Sequence, residues 1–205
     1  MRTLTFALVT LAAATIAAQE LLDRVVARVN GEPITLSDAR AAVALGIVEH
    51  PAGVDPIHSA VRQLIERRLV LAEVARFSPP DPPAAALARE VERLTSHVGS
   101  PAQLDELART TGVGESQIRE IARDNLRIQA YLTQRFGASV QVTDEDAALY
   151  YRSHLEEFRV GGELMPYEQA EPIARQKAAA ERREAIIFRW MRELRQRADV
   201  VEQYR

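Results

Sequence analysis

Val25-Val26-Ala27-Arg28-Val29-Asn30-Gly31-Glu32-Pro33-Ile34-Thr35 is the stretch on which the fold turns. Val25 to Val29 reads as a short strand. Asn30-Gly31 is the strongest two-residue hairpin signal, because both central turn positions want positive φ. Glu32 to Thr35 is the returning strand, and Pro33 confines it to a sheet edge because it has no N–H to donate. Two strands alone are marginally stable in water. The hairpin therefore has to be covered by helices.

Helix signals follow in order. Thr35 with Asp38 reads as a capping box, and the helix it opens is expected to reach about Glu49, before Pro51-Ala52-Gly53. Asp55-Pro56 is a cap followed by proline in the first turn, opening a helix to about Phe77. On it, Ile57, Val61, Leu64, Leu71 and Ala75 share one face, flanked by Ala60, Ile65 and Ala72. Arg68 points into that stripe, and a long Arg can reach solvent from such a position. A second reading pairs Arg68 with a carboxylate in a groove, or leaves it free to meet a backbone carbonyl.

Four prolines between Ser78 and Pro83 form a hinge-like connection. Asp81-Pro82 repeats the cap-then-proline pattern and predicts a helix to about Gly99. Ser100-Pro101 starts another, stopped by Gly112, and Glu115 to Phe136 makes a long one ended by Gly137. Thr143 with Asp146 is a further capping box, predicting a helix from Asp144 to Phe158. Gly161-Gly162 and Pro166 mark a flexible joint. The last helix is expected from about Tyr167 to Ala198, with Ile187, Trp190, Met191, Leu194 and Ala198 on its apolar side. Its arginines interleave with Glu181, Glu184 and Glu193, the pattern of a solvated ion-pair face.

The fold class is thus mainly α: a short N-terminal β-hairpin followed by about seven helices, the C-terminal one packing back. Aromatic residues are 5% of the 205-residue chain, so Leu, Ile, Val and Ala must build the core. Packed helices suit that supply better than a β-sandwich. The chain holds no Cys, so packing without disulfides must hold it together.

The first residues add an address. Met1-Arg2 precedes an uncharged run from Leu4 to small residues at Ala17-Ala18. This reads as a secretory signal peptide over residues 1–18, too short for a comfortable membrane span. An uncleaved anchor helix is the alternative. Residues 19–205 then form a single exported, periplasmic domain, not stably inserted in a membrane after cleavage. A formal charge of −3 makes nucleic acid a poor partner.

Signals for catalysis are weak. His50, His58, His97 and His154 lack zinc-ligand spacing. Gly112-Val113-Gly114 has no preceding strand and no third glycine, and there is no phosphate-binding loop or nucleophile elbow. No cofactor, metal or catalytic residue is expected. Carboxylates at Asp144-Glu145-Asp146 and Glu156-Glu157 sit at helix ends, where dipole or solvated roles suffice.

Four stretches taken together resemble a known family. Val25 to Asp38 resembles the opening of SurA-like and PpiC-like periplasmic folding factors, and Gln63 to Leu71 looks like their second-helix motif. Val142 to Asp146 with Tyr150-Tyr151 and Glu156-Glu157-Phe158 resembles the lead into their parvulin domain. Trp190 to Arg195 with Ala198-Asp199-Val200 resembles the helix after it. The resemblance implies a helical SurA N-terminal-type peptide-binding domain. It departs where the family carries the parvulin domain: only a short linker, residues 158–167, stands there, and eight residues from Arg159 to Pro166 cannot form a domain.

The resemblance implies an ATP-independent holdase for unfolded or extended polypeptides such as outer-membrane protein precursors. Arg68, Tyr131, Phe136, Tyr150, Tyr151, Phe158 and Trp190 are the candidate client-binding cleft, with ordinary core positions as the alternative for each aromatic. Two other functions stand beside it: an envelope assembly subunit with one dedicated protein partner, and a prolyl isomerase using a degenerate or partner-supplied domain.

Overall fold

The structure, a computed structural model, describes residues 23–137 and 140–204. The expected signal peptide, residues 1–18, lies outside the described residues. The hairpin forms as β1 (Val25–Val29) and β2 (Glu32–Thr35), antiparallel, with Val29 opposite Glu32. Asn30 and Gly31 adopt φ of 52° and 86°, the conformation a two-residue turn requires. A third strand, β5 (Val200–Glu202), pairs antiparallel with the other edge of β1, giving the order β2-β1-β5. The hairpin reading did not contain β5. Three residues carry no period of their own, and only the partner strand makes them a strand.

Seven α-helices make up most of the rest of the described chain. Thr35 and Asp38 form both hydrogen bonds of the capping box that opens α1 (Leu36–Ala44). This helix stops short of Glu49. Gly46 has φ +62°, and a Cβ there would stand 2.7 Å from the His97 ring, so close packing and a left-handed turn end α1 together. Asp55 caps α2 (Pro56–Phe77) through Ile57 N–H. Next comes α3 (Ala84–Val98), later than Asp81-Pro82 suggests. A residue before proline is pushed out of the helical region, so Pro83 holds Pro82 extended and the helix opens after it. Ser100 caps α4 (Pro101–Thr111), and α5 runs Glu115–Phe136.

Thr143 and Asp146 box the start of α6 (Asp144–Ser153). The expected continuation to Phe158 breaks at His154, and a single 3-10 turn, Leu155–Phe158, follows. The ring of His154 stacks on Tyr150 at 4.1 Å, and Phe158 turns inward to 2% exposure. The expected flexible joint is a second tight hairpin, β3 (Arg159–Val160) with β4 (Glu163–Leu164). Gly161 and Gly162 take φ of 62° and 91° at its turn. The last helix, α7 (Tyr167–Arg197), spans 31 residues, about 46 Å at the α-helical rise.

Apolar residues gather in three clusters. The main one joins Val26 and Val29 of β1 to Val61, Ile65, Leu69 and Val74 of α2, Tyr131 and Phe136 of α5, and Trp190 and Leu194 of α7. A second holds Leu45, Leu94, Leu107, Ile118 and Ala122, where α3 and α4 cover α1 and α5. The third is small: Tyr151, Phe158, Ala170 and Ala174. Thus only the C-terminal half of α7 packs on the N-terminal elements. Its first turns pair with α6, and residues 181–185 between the two are exposed. Ion pairs expected along α7 are partly redirected: Arg175 and Arg182 reach Asp144 and Asp146 at the start of α6.

Three outcomes follow for stability. Trp190→Ala, which removes the ring packed 5.3 Å from Phe136, should cost about 3–5 kcal/mol in a denaturant titration. Phe158→Ala should instead speed hydrogen exchange over residues 144–164, with little change in the main core. Hydrogen bonds from Ile57 N–H and the Tyr204 hydroxyl hold the Asp55 carboxyl below the ordinary carboxylate range, and those from Thr143 do the same for Asp146. Lowered carboxylates stabilise fully above about pH 4, and that contribution is lost as pH falls through the folded-state values. Melting temperature should therefore drop on acidification, and Asp55→Asn, which keeps an acceptor, should flatten part of the drop.

Candidate functional site

Between α1, α2 and α5, beside β2, lies a cavity of about 280 Å³. Its existence follows from side-chain size. Ala41 and Ala42 of α1 form part of its wall and are buried, so the helix approaches without filling the space. Leu64, Arg67, Arg68 and Leu71 come from one side of α2, at the three-and-four spacing that puts residues on a common face. Gln117, Glu120, Ile121 and Asp124 do the same from α5. The result is an apolar floor between a basic wall and an acidic one.

This geometry also corrects the reading of α2. Its buried positions are Ala60, Val61, Leu64, Ile65, Leu69, Val70 and Val74, and Ala75 is exposed. The stripe through Leu64 and Leu71 opens onto the cavity instead of closing against another helix. Arg68 sits in that opening, and its guanidinium lies 3.3 Å from the Glu32 carboxylate at the tip of β2. The two side chains are 42% and 70% exposed, so water screens the pair.

Arg67 is more enclosed. It donates to the Ile121 carbonyl at 3.3 Å. Burial lowers its proton affinity, and attraction to Asp124 works in the opposite direction. Arg nonetheless stays charged in proteins. Across the gap, burial pushes the Asp124 carboxyl above the ordinary range, against the pull of Arg67, Arg127 and Arg68. Neither Asp124 nor Glu120 receives a hydrogen bond or an ion pair within 4.0 Å among the described residues. Glu90 anchors the α5 wall from behind, accepting from Asn125 at 2.7 Å and from Arg93 at 2.7 Å.

The seven residues singled out in the sequence fall in three places. Arg68 lines the cavity. Tyr131, Phe136 and Trp190 form one aromatic group, all 6% exposed or less, with the Arg135 guanidinium 5.4–5.9 Å from their ring centroids. Tyr150, Tyr151 and Phe158 form another around α6, where Tyr151 hydroxyl donates to the Met165 carbonyl at 2.6 Å. They do not line one cleft. Five of the six aromatics are core, because large rings bridge the distances between elements that Ala and Val cannot. Tyr150 alone borders open space, a shallower concavity of about 390 Å³ between α6 and α7.

Sequence reasoning missed Glu120 and Asp124. Both stand on a helix with many charges, and nothing in the sequence separates a carboxylate facing a cavity from one facing bulk water. Their i,i+4 spacing next to Ile121 is the only local signal. Among the described residues no cluster of His, Asp or Glu has the makings of a metal site, and no helix is long and apolar enough to cross a membrane.

Arg68→Met keeps the stem and removes the charge. Its stability should change by less than about 1 kcal/mol, as for other exposed ion pairs. Ile65→Ala, three positions away and fully buried, should cost about 2–5 kcal/mol. Equilibrium unfolding of the two variants distinguishes a wall residue from a core residue.

No model of a known protein family matches the chain. No curated protein matches it in sequence.

Proposed function

We propose that this chain is an ATP-independent holdase of the cell envelope, related to the SurA N-terminal-type peptide-binding domains that its sequence resembles. The observation that carries the proposal is the cavity beside Arg68: apolar floor, charged walls and open mouth. At about 280 Å³ it is smaller than a typical small-molecule site, roughly 300–1,000 Å³. It suits a short stretch of a larger ligand. Exposed Phe77, Leu149 and Phe188 provide further apolar contacts on the surface. Many weak contacts of this kind hold an unfolded chain and release it without an energy source.

Export through the N-terminal segment would place the protein in the periplasm, where its clients are unfolded outer-membrane or secreted polypeptides. Prolyl isomerisation is not part of the proposal. It requires a shaped pocket that lowers a barrier of about 18–20 kcal/mol. Residues Arg159 to Leu164, where the family carries its isomerase domain, make a hairpin with a two-residue turn.

The purified protein should slow aggregation of several unrelated unfolded clients without nucleotide, and should not accelerate cis–trans exchange of a prolyl peptide. Arg68→Met should weaken client binding about two- to tenfold, the worth of one hydrogen bond to a carbonyl. Protection of one partner alone would replace the holdase with a dedicated assembly subunit. Clear acceleration of prolyl exchange would contradict the absence of isomerase chemistry.

A further inference from the structure

The hydrogen-bonding capacity of the cavity walls is unbalanced in a specific way. On the α2 side, Arg67 uses one N–H for the Ile121 carbonyl and Arg68 uses one for Glu32. Each guanidinium carries five N–H donors, so donors remain. On the α5 side, Asp124 and Glu120 are acceptors with no donor among the described residues. Asp124 is half-buried, and burial raises its carboxyl. A partly desolvated carboxylate without a donor is costly, so its complement is an N–H. The facing arginines call for a carbonyl oxygen. One neutral group supplies both in a fixed geometry, the peptide amide. A cationic side chain would satisfy Asp124 but be repelled by Arg67 and Arg68, and an anionic one would reverse the conflict.

Resting on the holdase reading, we infer that the cavity recognises the main chain of its client. A peptide unit of an extended segment seats between α2 and α5, its carbonyl accepting from Arg68 or Arg67 and its N–H donating to Asp124 or Glu120. Client side chains contact Leu71, Ile121 and Ile47 only as apolar bulk. Selection of this kind is indifferent to client sequence and demands an unpaired backbone, which only an unfolded or extended segment offers. The charge of the client is immaterial to the seat itself.

The test is a pair of fluorescent, unstructured peptides of one sequence, the second N-methylated at alternate residues. N-methylation removes N–H donors and leaves the side chains intact. With the full protein, the parent peptide should bind and the methylated one should bind at least about tenfold more weakly, the cost of a buried acceptor left unpaired. In Asp124→Leu, checked for an unchanged melting profile, that difference should shrink to about twofold or less. Equal binding of the two peptides to the wild-type protein overturns main-chain recognition and leaves the holdase reading standing. A difference undiminished in both Asp124→Leu and Glu120→Leu places the recognition elsewhere and also overturns it. Binding of neither peptide overturns both.

Discussion

Main-chain hydrogen bonds between β1 and β5 hold the two ends of the described chain together, and the other packing depends on them. Asn30 N–H donates to the Asp199 carbonyl at 2.7 Å, and Asp199 N–H returns to the Asn30 side chain at 3.0 Å. Gln203 N–H reaches the Val26 carbonyl at 2.8 Å. Asn30 therefore makes the hairpin turn and clasps the C-terminus. Tyr204 adds a hydrogen bond to Asp55, the cap of α2, at 2.9 Å. With its end fixed there, α7 has to lay Trp190 and Leu194 against α2 and α5. A chain without cysteine closes itself by a strand instead of a covalent link.

That closure settles which parts of the molecule are full and which are left open. Around α7 the helices meet through large rings, and the main core is tight. On the opposite side of α2 the neighbours are Ala41 and Ala42, too small to fill the gap, and α5 faces it with carboxylates. The cavity is thus what remains when a helix with an apolar face and an Arg in its middle meets a polar wall. Arg67 and Arg68 are each already tied to one acceptor and lose little further freedom on binding, which favours weak but ready association. The α6 lobe, carried on the exposed stretch of α7, has its own small core and no part in this wall.

Local rules made much of this architecture legible. The Asn30-Gly31 turn, the boxes at Thr35 and Thr143, and the Asp55-Pro56 start are set by contacts within four residues, and each formed as read. Features set by distant partners escaped. His97 packing on Gly46 shortened α1, and pairing with β1 made a strand of Val200–Glu202. Consecutive prolines delayed α3 by a local rule that the cap signature masked. At the candidate site, Arg68 stood out because a charge interrupts an apolar stripe. Glu120 and Asp124 did not, since their position at the cavity, and the partial burial of Asp124, depend on how α2 packs across from them. The aromatics read as cleft or as ordinary core, and five of the six are core, since the long reach of a ring makes it the natural joint between helices.

The central claim is that unfolded chains bind in the cavity between α2 and α5. Hydrogen exchange of the protein with and without a saturating unfolded client measures this directly. The account predicts new protection concentrated at residues 64–71 and 117–124, with the α6 lobe unchanged. Protection confined to the α6 lobe or the exposed stretch of α7, with those two segments unaltered, would contradict it.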